Sequence, residues 1–202
     1  MTREQQRQLK ELNTQLSRTI KELCAQYKIK KKDGRLFYKK ENMFYKAIIS
    51  ITTPSDDVWY CETEELIKPP YLDDILWKLL DMESNINEAD SLRAVGAFAL
   101  RGVRIYKNRI ILKSRTIDEL REILESYVKH FADSINDATI DDFINNIDVN
   151  SYHGVEMKSI YLIHEGCYRE ALDTVGNKRG CFNNKGIDIN DAIREYCRNH
   201  II

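Results

Sequence analysis

The sequence predicts an α+β fold in which a long N-terminal helix and further helices pack against an antiparallel sheet, followed by a small helical C-terminal region. Three observations predict this fold. Apolar residues recur at helical spacing near the N-terminus and after residue 116, two stretches rich in aromatic and β-branched residues separate the helical patterns, and the C-terminal region is mostly helical in pattern. The order helix, strands, helix, strands, helices is typical of an α+β domain.

The first predicted element is a helix from Arg3 to Tyr27. Its apolar residues recur every three or four positions on one stripe, uninterrupted by Gly or Pro: Leu9, Leu12, Leu16, Ile20, Leu23 and Tyr27. The stripe favours packing on the helix's own domain. A dimeric coiled coil is the alternative, although the stripe barely reaches the sustained heptads that such a coil needs. The chain is therefore expected to be a monomer or a homodimer.

The first β-rich stretch follows this helix. Asp33-Gly34 is a strong turn signal, because Gly accepts a positive φ without steric cost. The run from Phe37 through Ile51 predicts strands with a turn at Glu41-Asn42, and Val58 to Cys61 predicts another short strand.

The second β-rich stretch runs from Leu92 to Leu112, with a turn expected at Lys107-Asn108. Helices are predicted on both sides of it. One lies near Tyr71 to Met82, a second opens at the capping box Thr116 to Glu119, and a shorter one is capped by Thr139 to Asp142. We place a boundary between an α+β domain, residues 1–137, and a helical region, residues 138–202, which together could also form one compact domain.

The composition is that of a soluble globular protein rather than a disordered one, with 202 residues, 43% hydrophobic and 31% charged. No apolar run approaches the roughly 18 residues of a membrane span. Five cysteines at irregular spacing, without a secretory signal, predict reduced thiols and a cytoplasmic location.

Three motifs lie within residues 23–112 and together resemble a known family. They are Ile29-Lys30-Lys31-Lys32 followed by Phe37-Tyr38, Lys68-Pro69-Pro70-Tyr71-Leu72-Asp73-Asp74-Ile75-Leu76-Trp77, and Ser91-Leu92-Arg93-Ala94-Val95-Gly96-Ala97-Phe98. With them the middle of the chain resembles an uncharacterised bacterial family, a domain of unknown function. The resemblance implies a bacterial-type protein with an α+β fold. It implies no activity and transfers no site residue.

The formal net charge of -1 hides long blocks of opposite sign. Basic side chains outnumber acidic ones nine to three from Lys21 to Lys46 and seven to none from Ser91 to Arg115. Acidic side chains outnumber basic ones eleven to two from Ser55 to Asp90 and nine to two from Thr116 to Asn150. Such segregation shapes a surface field that can steer partners.

The two basic blocks coincide with the two β-rich stretches. If the strands are neighbours, cations and tyrosines share a face: Lys39, Lys46, Arg93, Arg101, Arg104 and Arg109 with Tyr38, Tyr45 and Tyr106. This composition suits single-stranded nucleic acid, because cations hold phosphates and rings stack on bases. It also suits a protein partner of opposite sign. Alternatively, the acidic blocks lie over the basic strands, and each surface pair contributes only about 0–1 kcal/mol.

Two His/Cys pairs could hold zinc. His164 with Cys167, and Cys197 with His200, each place two donors on one helical face, and Cys181 lies between the pairs. A Zn²⁺ site needs four such donors. The absence of a Cys-x2-Cys knuckle favours ordinary buried cysteines instead, so we expect no cofactor, with zinc as the alternative.

A third pattern would suit a metal-dependent nuclease. Glu156 and Lys158 form an acid-x-Lys pair, and Asp148 or Asp142 would be the upstream carboxylate that helps hold Mg²⁺. This chemistry needs the pair on a strand. The same stretch also has a helical pattern, with Val155, Ser159 and Ile163 on one side.

These observations favour a non-enzymatic protein-binding module, immunity- or antitoxin-like, that engages another protein through a charge-segregated surface. The alternative is a nucleic-acid-binding protein that uses the basic sheet face, with metal-dependent nuclease activity as a variant. We expect no membrane partner.

Overall fold

The computed structural model describes residues 1–55, 57–134 and 138–201. It confirms the α+β class: the described residues form eight α-helices, the long N-terminal one included, and a five-stranded antiparallel sheet. The chain divides into two compact units, each built from two stretches. Unit 1 comprises Met1–Ile67 and Arg104–Thr139, and unit 2 comprises Lys68–Val103 and Ile140–Ile202.

The boundary predicted between residues 137 and 138 stays a prediction, and Asn136 and Asp137 lie outside the described residues. The compact units follow a different division. Residues 68–103 group with the C-terminal stretch rather than with the residues that flank them in sequence.

Unit 1 consists of two helices and a sheet whose strands lie side by side in chain order, β1-β2-β3-β4-β5. Numbered along the chain, its elements are α1 (Arg3–Gln26), β1 (Lys30–Lys32), β2 (Arg35–Lys40), β3 (Met43–Ser55), β4 (Val58–Lys68), β5 (Val103–Ile111) and α4 (Ile117–Ser134).

Helix α1 begins at a capping box. The Thr2 hydroxyl accepts a hydrogen bond from the Gln5 amide, and the Gln5 side chain accepts one from the Thr2 amide. The predicted stripe is buried at Leu12, Leu16 and Ile20, and α1 packs on α4, β1 and β3. The prediction that this helix packs on its own domain is therefore confirmed.

Two of the three predicted turns are present. Asp33 and Gly34 have φ values of 46° and 73°, and they join β1 to β2 where Lys32 pairs with Arg35. Two successive positive φ values are typical of the type I′ turn, whose twist matches that of the strands. Glu41 and Asn42 join β2 to β3.

Two local predictions are wrong. The turn expected at Lys107-Asn108 is absent, because β5 runs without interruption from Val103 to Ile111. Residues 92–95, at the start of the second β-rich stretch, are helical rather than extended. Strand β5 is last in the sheet order, and its polar side chains at residues 107–109 are exposed. Exposed charges are typical of edge strands, where they imitate a turn signal in the sequence.

Unit 2 is helical apart from a small hairpin. Its elements are α2 (Tyr71–Leu79), a 3-10 helix (Glu83–Asn87), α3 (Ser91–Val95), α5 (Ile140–Asn145), α6 (Gly154–His164), α7 (Tyr168–Val175), β6 (Asn183–Asn184), β7 (Ile187–Asp188) and α8 (Ile189–His200). Helix α6 packs on α7, α7 packs on α8, and α2 contacts both α6 and α8. Leu72, Leu76, Ile160 and Ile193 are fully buried in this unit.

Gly154 opens α6 at a close approach of two chain segments. A Cβ atom on this residue would lie 2.0 Å from the carbonyl oxygen of Asp148, so no larger residue fits without a backbone shift. Within the described residues, none of the helices combines the length and the apolar character that crossing a bilayer requires.

Candidate functional site

A pocket of about 460 Å³ opens in unit 1 between α4 and strands β4 and β5. Its lining comes from those three elements: Thr63 of β4, Tyr106, Asn108 and Ile110 of β5, and Glu122, Ile123, Ser126, Tyr127 and His130 of α4. The residues of α4 follow steps of three and four, which places them on one side of the helix.

The wall of the pocket is aromatic. The rings of Tyr106 and His130 have their centroids 4.9 Å apart, and those of Tyr106 and Tyr127 lie 6.5 Å apart at an angle of 22°. Tyr127 also packs on Phe131 behind it, at 6.5 Å. Tyr127 is therefore buried between Tyr106 on the pocket side and Phe131 behind it.

Beneath this wall lies a buried carboxylate. The Glu65 side chain is only 3% exposed, and its Oε1 lies 3.5 Å from Nε2 of His130. Burial raises the pKa of the Tyr127 phenol, and the charge of the nearby Glu65 raises it further. Tyr127 is therefore a protonated phenol, able to donate a hydrogen bond, throughout the neutral pH range.

The buried Thr63 hydroxyl adds a second polar group to the lining. Among the described residues it has no hydrogen-bond partner. A polar atom buried without a partner is unfavourable, and a ligand or a water molecule usually accounts for it. Thr63, Glu65 and Tyr127 thus place polar groups in the core, and the partly exposed His130 lies against Glu65 at the open pocket, which marks a candidate site.

Sequence reasoning missed Glu65 and His130, although a signal for Glu65 existed. Along β4 the buried side chains alternate, so Trp59, Cys61, Thr63 and Glu65 all face inward. Extending this alternation in the sequence beyond Cys61 predicts that the Glu65 carboxylate lies inside the core. Tyr106, by contrast, was predicted as a binding residue, and it lines the pocket.

The arginines of β5 are engaged with β4. Arg104 lies 2.7 Å from Glu64, and Arg109 lies 2.5 Å from Glu62 and covers the Tyr60 ring at 4.9 Å. A basic block thus meets an acidic block across one pair of strands. Both arginine side chains are about half exposed, so each pair contributes only about 0–1 kcal/mol.

The remaining predicted cations and tyrosines are distributed over both units. In unit 1, Lys39 is exposed, Tyr38 is half-buried, and Lys46 and Tyr45 are buried. Arg93 and Arg101 belong to unit 2, where they are buried and half-buried respectively. Burial of Lys46 and Arg93 removes these two side chains from any solvent-facing array.

Arg93 takes part in a buried ion network with Lys68. The Lys68 ammonium donates hydrogen bonds to Asp73 (2.9 Å) and to the carbonyls of Arg93 (3.0 Å) and Leu100 (2.6 Å). Burial lowers the pKa of Lys68, and Asp73 opposes this shift. The Arg93 guanidinium pairs with Asp74 at 2.5 Å. All the donors of this ammonium are engaged within unit 2, which indicates a structural role.

The residues of the nuclease hypothesis lie on a helix or next to it. Residues 154–164 form α6, the alternative to a strand that the sequence left open. The buried Glu156 accepts a hydrogen bond from the Cys181 amide at 2.8 Å, and Lys158 is half-buried. Because helical residues two apart do not face each other, Glu156 and Lys158 point in different directions. Asp148 lies in the exposed loop before α6.

The four residues of the zinc hypothesis lie in unit 2, where both histidines stack on tyrosine rings. His164 stacks on Tyr71 with ring centroids 3.7 Å apart, and His200 stacks on a tyrosine one turn earlier at 4.1 Å. Cys197 is buried in α8, and Cys167 precedes α7. Within the described parts of the chain, no three His, Cys, Asp or Glu side chains gather into a group that could hold a metal ion.

Comparison with known proteins finds no matching family model, no matching curated protein and no matching solved structure. The resemblance to an uncharacterised bacterial family stays a prediction. The interpretation of the pocket therefore rests on its own chemistry.

Proposed function

We propose that this chain is a non-enzymatic binding protein that engages another protein, and that the pocket of unit 1 receives part of the partner. An immunity- or antitoxin-like role is the concrete form of this proposal. The observation that carries it is the open pocket of about 460 Å³, with an aromatic wall beside the buried polar groups of Thr63 and Glu65.

Strand β5 supports a protein as the partner. It lies at the end of the sheet order, and Ile111 at its C-terminal end is 51% exposed. An edge strand offers main-chain donors and acceptors to an extended segment, while a neighbouring pocket selects a side chain of that segment. The exposed Lys107 and Arg109 would discourage unselective strand pairing.

Charge steering remains part of the proposal. The basic block from Lys21 to Lys46 includes exposed lysines on β1, Lys30 and Lys32. A partner with an acidic surface would be drawn to this region before it docks, since surface charge acts chiefly on the rate of association.

Four of the five cysteines are unsuited to nucleophilic catalysis. Burial raises the pKa of Cys24 to about 11, of Cys61 to about 12 and of Cys197 to about 11. Burial also raises the pKa of Cys181. A nucleophilic cysteine needs the opposite shift, because the thiolate is the reactive form.

The test compares partner capture by two variants of α4. Ser126→Trp fills the pocket, whereas Lys129→Trp adds the same side chain at an exposed position outside the lining. Proteins captured from an extract of the source cells should be depleted about tenfold or more by Ser126→Trp and retained by Lys129→Trp. If both variants retain the same proteins at the same level, the pocket is not the binding site. Thermal unfolding of both variants verifies that each is folded.

A further inference from the structure

We infer that the group entering the pocket of unit 1 is an organic cation, an ammonium at the end of an apolar stem, such as a lysine side chain of the partner. This inference rests on the proposed function and names the chemistry that the pocket selects. It follows from the charge of the pocket, from its aromatic wall and from the buried hydroxyl in its lining.

The charge of the pocket is the first observation. Glu122 is an exposed lining residue, and it has no ion pair among the described residues. Glu65 supplies a second, buried carboxylate beneath the wall. None of the nine lining residues is Lys or Arg, and the lining residue that could carry a positive charge, His130, lies against Glu65. An anionic ligand would therefore meet the Glu122 carboxylate in the lining, with the Glu65 carboxylate behind His130 and no lysine or arginine to offset them.

The aromatic wall is the second observation. Tyr106 is half-buried and presents its ring to the pocket beside Tyr127. The negative face of an aromatic ring attracts a cation within about 6 Å of its centroid, most strongly where water is excluded. Ile110 and Ile123 line the same pocket and provide apolar surface for an alkyl stem.

The Thr63 hydroxyl is the third observation. Thr63 is 2% exposed, lines the pocket and has no hydrogen-bond partner among the described residues. An ammonium carries three donors and no acceptor, so it matches a hydroxyl oxygen and carboxylate oxygens. A purely apolar ligand would leave the buried Thr63 hydroxyl without a partner.

The experiment is a titration of the full chain with small organic molecules at constant ionic strength. Amide NMR spectra monitor binding at each step of the titration. n-Butylammonium should shift the amides of residues 106–110 and 122–130 in a saturable manner, whereas n-butanol and butyrate should not. Glu122→Gln and Tyr106→Leu should each weaken butylammonium binding about two- to fivefold, because each removes one cation contact. The matched control is Glu125→Gln, on the same helix but outside the lining, which should leave binding unchanged.

Equal shifts with n-butanol or butyrate, or an equal loss of binding in Glu125→Gln, would overturn the inference. A further arm separates the two sources of an ammonium group. An extended peptide with a central lysine should bind more tightly than free butylammonium or spermidine if a protein carries the cation, and equal binding would overturn the assignment to a partner's lysine. If Ser126→Trp abolishes partner capture while no ammonium probe binds, the proposed function stands and this inference fails.

Discussion

Among single residues, Lys68 is the one whose substitution should lower the free energy of unfolding most clearly. Lys68→Met removes an ammonium that makes three hydrogen bonds and leaves the buried Asp73 carboxylate without that partner. Removing one member of a buried ion pair lowers the free energy of unfolding by about 3–5 kcal/mol. Urea unfolding measures this loss. The control is Lys78→Met at an exposed position of α2, which should change stability by less than about 0.5 kcal/mol.

A Lys68→Met protein as stable as the Lys78→Met control would contradict a structural role for this ammonium. The double variant Lys68→Met/Asp73→Asn should lose less stability than Lys68→Met alone, because it removes both charges of the pair and keeps a side-chain oxygen that accepts from the Leu100 amide.

The buried thiols predict how stability depends on pH. In the folded state burial raises the pKa of the Cys61 thiol to about 12. In the unfolded state the thiol has the reference pKa of about 8.5. The unfolded state therefore binds fewer protons than the folded state between these values, so the free energy of unfolding falls as pH rises through this window. Urea unfolding of the wild type and of Cys61→Val, between pH 8 and pH 10, isolates this contribution. The slope should be shallower in Cys61→Val, and identical slopes would contradict the burial assigned to this thiol.

Among the elements, the connection from β5 to α4 depends on one carboxylate. Glu119 accepts hydrogen bonds from the amides of Lys113, Ser114 and Arg115 at 2.8, 2.9 and 2.9 Å. The Thr116 hydroxyl accepts one from the Glu119 amide, so Thr116 has the capping role predicted for it, while the Glu119 carboxylate binds the three residues before the cap. This connection sets the position of α4 beside β5, and so of the pocket.

Glu119→Gln should therefore lower the free energy of unfolding by about 1–3 kcal/mol, because charge-assisted hydrogen bonds to three amides become weaker ones. Glu125→Gln, an exposed carboxylate on the same helix, should cost only about 0.5 kcal/mol. Chemical denaturation compares the two variants. If the two variants lose the same free energy of unfolding, Glu119 contributes no more to stability than an ordinary surface carboxylate.

Elements with a local cause were predictable from the sequence. The stripe of α1, the Asp33-Gly34 turn and the capping residue Thr116 each depend on residues a few positions apart. The course of β5 was not predictable in this way, because pairing with β4 overrides the turn signal at Lys107-Asn108. The pocket depends on β4, β5 and α4 together, so the sequence indicated Tyr106 as a binding residue without its neighbours.

For the whole molecule, the division into two discontinuous units predicts how fragments behave. Unit 2 buries Leu72, Leu76 and Trp77 from the stretch before residue 103, together with the helices after residue 140. A fragment of residues 138–202 lacks these side chains, so we expect it to unfold without a cooperative transition, unlike the full chain. Circular dichroism during heating measures this difference. A cooperative transition in the fragment would instead favour the boundary that the sequence places between residues 137 and 138.

Also for the whole molecule, the central claim is that the pocket between α4 and β5 is where the chain binds its partner. The most direct measurement places a photo-cross-linking amino acid at Asn108, an exposed lining residue of β5, and at Lys129, an exposed residue outside the lining. In cell extracts the Asn108 derivative should cross-link to the partner protein that the wild type captures. This cross-link should be lost when Ser126→Trp fills the pocket. Cross-linking of equal yield from Lys129, or cross-linking from Asn108 that Ser126→Trp leaves unchanged, would contradict the claim.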